Sequence, residues 1–216
     1  MDRPGNNTPP DALMFLGTRC PHCPSVLNAL ATMLKAGVIG TLRAVNIEQH
    51  PEIAQETGVR GVPWVRIGTI ELEGLRSEKE LREWAAKAGT TAGLGAWLDE
   101  LLSTGGIDRA LALIRSDTDA LDALLMLFAD PETQLNTRIG ISAIMEDLAG
   151  SGQLQGLTQR LGRLTRHREA RIRGDACHYL GLAGDPAAVE YLRPCLQDPD
   201  AEVREVAEEA LQALQD

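Results

Sequence analysis

The periodicity of the chain changes once, near residue 90, and that change limits the folds open to it. Before it, short apolar runs alternate with amphipathic ones. "ALMFLGT", residues 12–18, is a continuous apolar run, as a strand covered on both faces would be. Val26, Leu27, Leu30, Met33 and Leu34 follow at helical spacing, with Gly37 as a C-terminal stop. "TLRAVNIE" alternates as a strand, and "HPEIAQETG" reads as a short helix ending at Gly58. "VPWVRIG" and "TIELEG" read as two strands joined tightly around Gly68. "SEKELREWAAKAG" opens with the capping-box pair Ser77 and Glu80 and closes at Gly89. The predicted order is β-α-β-α-β-β-α, in which the first β-α-β demands a parallel pair with a right-handed crossover.

After residue 90 the strand signal stops, and helices follow one another between Gly, Asp-Pro and Ser-Asp breaks. At a shift of 31 residues, "HREARIRGDACHYLGLA" superposes on "DPDAEVREVAEEALQAL". Ile172 then falls on Val203, Arg173 on Arg204, Ala176 on Ala207 and Leu180 on Leu211. A weaker copy, "DPETQLNTRIGISAIMEDLAG", offers Arg138, Ile139 and Ala143 for similar parts. This pattern resembles HEAT-type repeats, whose second helix commonly starts with Asp-Pro and carries Val-Arg and then Ala. The resemblance implies an all-α repeat domain over residues 106–216, stacked into an extended surface suited to proteins more than to metabolites.

Cys20-Pro21-His22-Cys23 lies between the first predicted strand and the first predicted helix. A structural zinc site needs four ligands, usually from two such knuckles, and the next cysteine is Cys177, so no metal is expected. A Cys-x-x-Cys at the first turn of a helix in a β-α-β unit is instead a redox arrangement. The free N–H groups and positive dipole end of the helix favour a thiolate at Cys20, and a protonated His22 would add to this. Downstream, "VNIEQHPEIAQETGVRGVPWVRIG" completes the pattern.

Residues 11–90 thus resemble the thioredoxin superfamily, closest to its compact, glutaredoxin-like members. The resemblance implies a mixed four-stranded sheet, with Cys20 as attacking thiol and Cys23 as resolving thiol. It implies that Pro63 is the cis-proline beside the disulfide, with the backbone of Val62 turned toward a substrate peptide. Pro21-His22 is the pair found in strongly oxidising relatives, and with Pro24 it also resembles archaeal-type protein disulfide oxidoreductases. Two departures stand out. Met14 occupies the place of thioredoxin's buried aspartate, so no internal carboxylate is expected to take the Cys23 proton. Of the glutathione-binding segment only Gly74 is matched, and no cofactor is expected.

The formal charge of -10 argues against a nucleic-acid partner. "MDRPGNNTPPDA" has no apolar core of a secretory signal, and no window reaches a membrane-spanning length. A soluble, cytoplasmic protein is expected, in a compartment that disfavours permanent bridges. The expected organisation is a disordered segment 1–10, the α/β domain 11–90, a connecting helix 91–105 and repeats 106–216. Cys177 and Cys195 read as small buried residues at helix seams, with a regulatory pair or a relay to Cys20 as the alternative. Arg160, Arg163, Arg166, Arg168, Arg171 and Arg173 form a basic run, either a solvated helix face or a patch for an acidic partner, with Arg166, Arg168 and Arg171 as its candidates. Trp64 is a candidate for the rim of the site or for the core, while Trp84 and Trp97 read as packing residues. The expected function is a thiol–disulfide oxidoreductase whose repeats dock protein clients. The alternative is an adaptor or redox-sensing scaffold in which the α/β domain only binds.

Overall fold

The computed structural model describes residues 8–215. Most of the expected disordered segment therefore lies outside the described residues; Pro10 is tied in, its carbonyl accepting from the Gly40 amide at 2.9 Å. The chain divides into two compact units between Trp97 and Leu98.

The first unit follows the expected order: β1 (Ala12–Leu16), α1 (Cys23–Lys35), β2 (Leu42–Asn46), α2 (Pro51–Thr57), β3 (Trp64–Ile67), β4 (Ile70–Glu73) and α3 (Glu78–Lys87). Its sheet has the order β2-β1-β3-β4, with β1 parallel to β2 and the other pairs antiparallel. β1 is central, and its neighbouring residues Met14 and Phe15, which point to opposite faces, are both 0% exposed. That two-sided burial is why the strand reads as an unbroken apolar run. On one face Phe15, Val45, Ala54 and Trp64 form a cluster closed by Ile53 of α2 and by Val59 and Val62. α1 lies against β1 and β2 and packs on α3, burying Val26, Leu30 and Met33, side chains that each contribute about 2 kcal/mol. Gly58 caps α2 at φ +75°, and Gly68 turns β3 into β4 at φ +60°, both conformations that glycine adopts without a Cβ clash. Ser77 and Glu80 close the capping box at the start of α3: the Ser77 amide donates to the Glu80 carboxylate at 2.8 Å and the Glu80 amide donates to Ser77 Oγ at 3.3 Å.

The division between units falls inside α4 (Thr91–Ser103). Trp97 is buried in the first unit and donates its Nε1–H to the Glu71 carbonyl at 3.0 Å.

The second unit continues with α5 (Ile107–Ser116), α6 (Thr118–Ala129), α7 (Leu135–Gly150), α8 (Thr158–Leu164), α9 (Ala170–Ala183), α10 (Val189–Cys195) and α11 (Ala201–Ala213). Short 3-10 turns at Gln153–Leu157 and Pro186–Ala188 precede α8 and α10. α7, α9 and α11 bury equivalent positions: Thr137, Ile172 and Val203; Ile141, Ala176 and Ala207; Ile144, Tyr179 and Ala210. One arginine repeats with them. Arg173 donates to the His167 and Arg168 carbonyls at 2.9 and 3.0 Å, and Arg204 to the Asp198 and Pro199 carbonyls at 2.7 and 3.2 Å. Arg138 does the same for its own preceding loop, donating to the Asp130 and Thr133 carbonyls at 2.6 and 3.2 Å. Each clamps the carbonyls of the turn that leads into its helix. α9 and α11 pack tightly at Gly181, where a Cβ would stand 2.9 Å from Ala210. Among the described residues no helix is long and apolar enough to cross a membrane.

Candidate functional site

β1 ends at Leu16, and the chain turns through Gly17, Thr18 and Arg19 so that the Cys20 amide donates back to the Gly17 carbonyl at 3.3 Å. α1 begins at Cys23 with Pro24 in its first turn, so Cys20 precedes the helix rather than lying in its first turn. His22 is the N-cap residue, without a side-chain capping bond, and both His22 and Pro21 are exposed. Cys20 and Cys23 are joined as a disulfide, their Cα atoms 5.5 Å apart. The two sulfurs differ in access: Cys23 is 3% exposed, while Cys20 is half-buried. The Cys23 backbone N–H points at Cys20 Sγ at 3.1 Å, a donor that stabilises negative charge on that sulfur.

The Val62–Pro63 peptide is cis, and Pro63 is buried just ahead of β3. Gly17 is the point where the site converges. A Cβ placed there would stand 3.3 Å from Val62 Cγ2, 3.5 Å from Glu48 Oε1 and 3.9 Å from Cys20 Cβ. Three segments far apart in sequence meet around an atom that the glycine omits.

Glu48 is the residue that the sequence reading missed. Its carboxylate accepts from the Thr18 amide at 3.0 Å, and the bond with the Thr18 side chain holds its pKa below the usual carboxylate range. Asn46 Nδ2 donates to Thr18 Oγ1 at 3.2 Å, and the Glu48 amide donates to Asn46 Oδ1 at 2.9 Å. The turn after β2 thus holds the turn that carries Cys20. No motif marks it; only the parallel pairing of β1 with β2 puts the two turns side by side.

Trp64 is not at the rim. It is 2% exposed, sits opposite Phe15 across the antiparallel β1–β3 pair, and packs its ring 5.3 Å from that of Phe15. Strand alternation turns it into the sheet's covered face. Trp84, at 9% exposure, carries the Lys87 ammonium 4.8 Å over its ring. Met14 lies wholly buried in β1.

The basic run is split between α8, a loop and the start of α9. Arg160 pairs with Asp122 at the surface, while Arg173 binds Asp198 through two bonds of 2.7 Å and is largely buried, so Arg173 does not belong to a freely solvated face. Arg166 lines a cleft of about 300 Å³ with Gln159, Arg163 and Tyr191. Arg168 lies 3.7 Å from Glu169. Arg171 donates to the Pro131 carbonyl at 3.2 Å and lines a different cleft of about 500 Å³, shared with Asp175, His178 and Glu202. Burial raises the Asp175 carboxyl above its usual range, against the lowering pull of Arg138 and Arg171.

Comparison with known families agrees with this geometry. Residues 12–86 match the family model described as a thioredoxin domain, and residues 142–212 that described as HEAT repeats. The chain joins a thioredoxin domain to HEAT repeats. No curated protein matches the sequence at a significant level. The HEAT match starts within α7, and the clamp made by Arg138 extends the same repeated contact ahead of it.

Proposed function

We propose that the chain is a thiol–disulfide oxidoreductase that exchanges disulfides with protein clients through Cys20 and Cys23. The observation that carries this is the asymmetric pair: one sulfur reachable and facing a backbone N–H, the other buried at the head of α1. Starting from the dithiol, the Cys20 thiolate attacks one sulfur of a client disulfide. The client S–S bond breaks, and its far sulfur leaves as a thiolate that takes up a proton. Cys23 then loses its proton to solvent and attacks Cys20 Sγ, which restores the Cys20–Cys23 bond and releases the second client thiolate. The client gains two electrons and the pair loses two. Run in reverse, the same steps oxidise a client dithiol, and the sequence leaves the direction to whatever partner recharges the site. No bound cofactor takes part.

In this reading Val62 and Pro63 present backbone to the client beside Cys20, and Pro21 and His22 tune the thiolate. The HEAT repeats supply the docking surface, with Arg166, Arg168 and Arg171 as a candidate patch for acidic clients in the cytoplasm. Trapping tests it. A Cys23→Ser chain, left with an unresolved Cys20, should accumulate client proteins as mixed disulfides on Cys20 that dithiothreitol releases. Adducts confined to Cys177 or Cys195, or none at all, would sink the proposal. Reversing charge at Arg166, Arg168 and Arg171 should change which clients are trapped without slowing exchange with a small dithiol.

A further inference from the structure

α8 and the turn after it border two clefts of the second unit, and one arginine belongs to both. On one side Gln159, Gly162, Arg163 and Arg166 follow at helical spacing and, with Tyr191 of α10, line the cleft of about 300 Å³. A Cβ on Gly162 would stand 2.5 Å from the Tyr191 ring, so the bare glycine is what lets that ring lie on the α8 backbone as the wall of the cleft. On the other side Arg163 and Leu164 meet Leu125, Met126 and Ala129 of α6 around a cleft of about 400 Å³. Asp122, the carboxylate lining this second cleft, is taken by Arg160. Met126 stands 62% exposed beside it, a large apolar side chain left in water. Arg163 and Arg166 are both exposed, and among the described residues neither has an ion pair. Two unpaired cations beside an apolar cleft stand out in a chain with a formal charge of -10.

We propose that this double cleft docks an acidic, amphipathic segment of a partner protein, its carboxylates on Arg163 and Arg166 and a neighbouring aliphatic side chain against Met126. The guanidinium fork matches a carboxylate through two parallel bonds, and both arginines are free to offer it. The thioether of Met126 is flexible and adapts to the shape of an apolar anchor. The apolar cleft next to the cations selects a side-chain-bearing segment over a bare phosphate. The overall negative charge repels a long polyanion such as nucleic acid, whereas a short acidic segment feels mainly the charges within about 8 Å at physiological salt. This names the partner chemistry for the repeats' docking role, on which it rests, and it shifts the basic patch. Arg166 stays and Arg163 joins it, while Arg168 lies beside Glu169 and Arg171 opens on the other cleft, with Asp175 and Glu202.

The test uses the full chain and peptides without cysteine, so docking is read apart from disulfide exchange. Failure here leaves the chemistry of Cys20 standing, and failure of trapping on Cys20 leaves this surface standing. Random cysteine-free peptides displayed on phage are selected on the immobilised chain, then remade with a fluorophore and titrated by anisotropy. The recovered peptides should carry Asp or Glu within a few residues of Leu, Ile or Val. Arg163→Glu with Arg166→Glu should weaken their binding about tenfold or more, and Met126→Ser about threefold or more. Lys35→Glu with Lys79→Glu, an equal change of charge at exposed positions of the first unit, should weaken it less than about twofold. All five side chains are exposed, so these variants keep their cores intact. Four results would overturn the proposal: peptides that are basic or lack carboxylates, affinities unmoved by the Arg163–Arg166 reversal or by Met126→Ser, an equal loss from the Lys35–Lys79 reversal, or no peptide recovered.

Discussion

The two units use polar groups in opposite ways. In the thioredoxin domain the contacts around the site each occur once, and several join segments distant in sequence: Glu48 holds the Thr18 turn, and Val62 comes up beside Gly17. In the HEAT repeats one contact recurs, with Arg138, Arg173 and Arg204 each fastening the carbonyls of its own preceding turn. A site of chemistry is specified by a unique convergence, and a stacked scaffold by repetition of a single bond. Substitutions in the first unit should therefore separate stability from exchange. Substitutions in the second should change stability and docking while leaving exchange alone.

Trp97→Ala should strain that separation most. It empties a buried site in the first unit and deletes the bond to Glu71, at a cost of about 4 kcal/mol. Chemical denaturation followed by exchange assays should find the Cys20 chemistry failing at denaturant concentrations that the intact chain survives. Equal resistance in the two would mean that α4 contributes nothing to the thioredoxin domain.

Arg173→Met should come next, at about 3 kcal/mol, because it leaves the Asp198 carboxylate buried without its partner. Asp198 is held below the usual carboxylate range, chiefly by its bond to Arg173. A depressed folded pKa gives stability that is complete above the ordinary carboxyl value and is lost as pH falls through the lower folded one. The gap between the intact chain and Arg173→Met should thus narrow on acidification below about pH 4. Denaturation midpoints at neutral and acid pH check this, and a gap independent of pH would mean that the ion pair is not its source. The Cys20–Cys23 equilibrium with glutathione should not move.

Gly17→Ala should act at the convergence point. The new Cβ would press on Val62 Cγ2 at 3.3 Å, which must give by a few tenths of an ångström, costing about 1.5 kcal/mol and slowing client exchange several-fold through a shift of the turn beside Cys20. Exchange as fast as the intact chain's would show that the Val62 turn can shift without consequence. Ser77→Ala, by contrast, removes half of the α3 capping box and should cost about 1 kcal/mol with no change in exchange rate.

How far these features could be read from the sequence depended on how local their causes are. Gly58, Gly68 and the Ser77–Glu80 box are decided within a few residues, and the element order followed from them. Pro63 and Cys20–Cys23 were legible because a familiar spacing joins them. The sequence could not decide between rim and core for Trp64, because β1 and β3 are covered on both faces and a strand buried on both sides gives no alternation from which to tell the two apart. Arg173 read as part of a basic run, yet its partner Asp198 is 25 residues away and only helix packing brings the two together. The Glu48 tie was invisible for the same reason.

The asymmetry between Cys20 and Cys23 is tested most directly by alkylation with iodoacetamide as a function of pH, in Cys23→Ser and Cys20→Ser chains compared side by side. Cys20 should titrate within the depressed range of about 3.5–7.5 and react faster than Cys23 at neutral pH, as a reachable thiolate facing the Cys23 N–H requires. A Cys20 that titrates near the free value of about 8.5 and reacts no faster than Cys23 would contradict its role as the attacking sulfur.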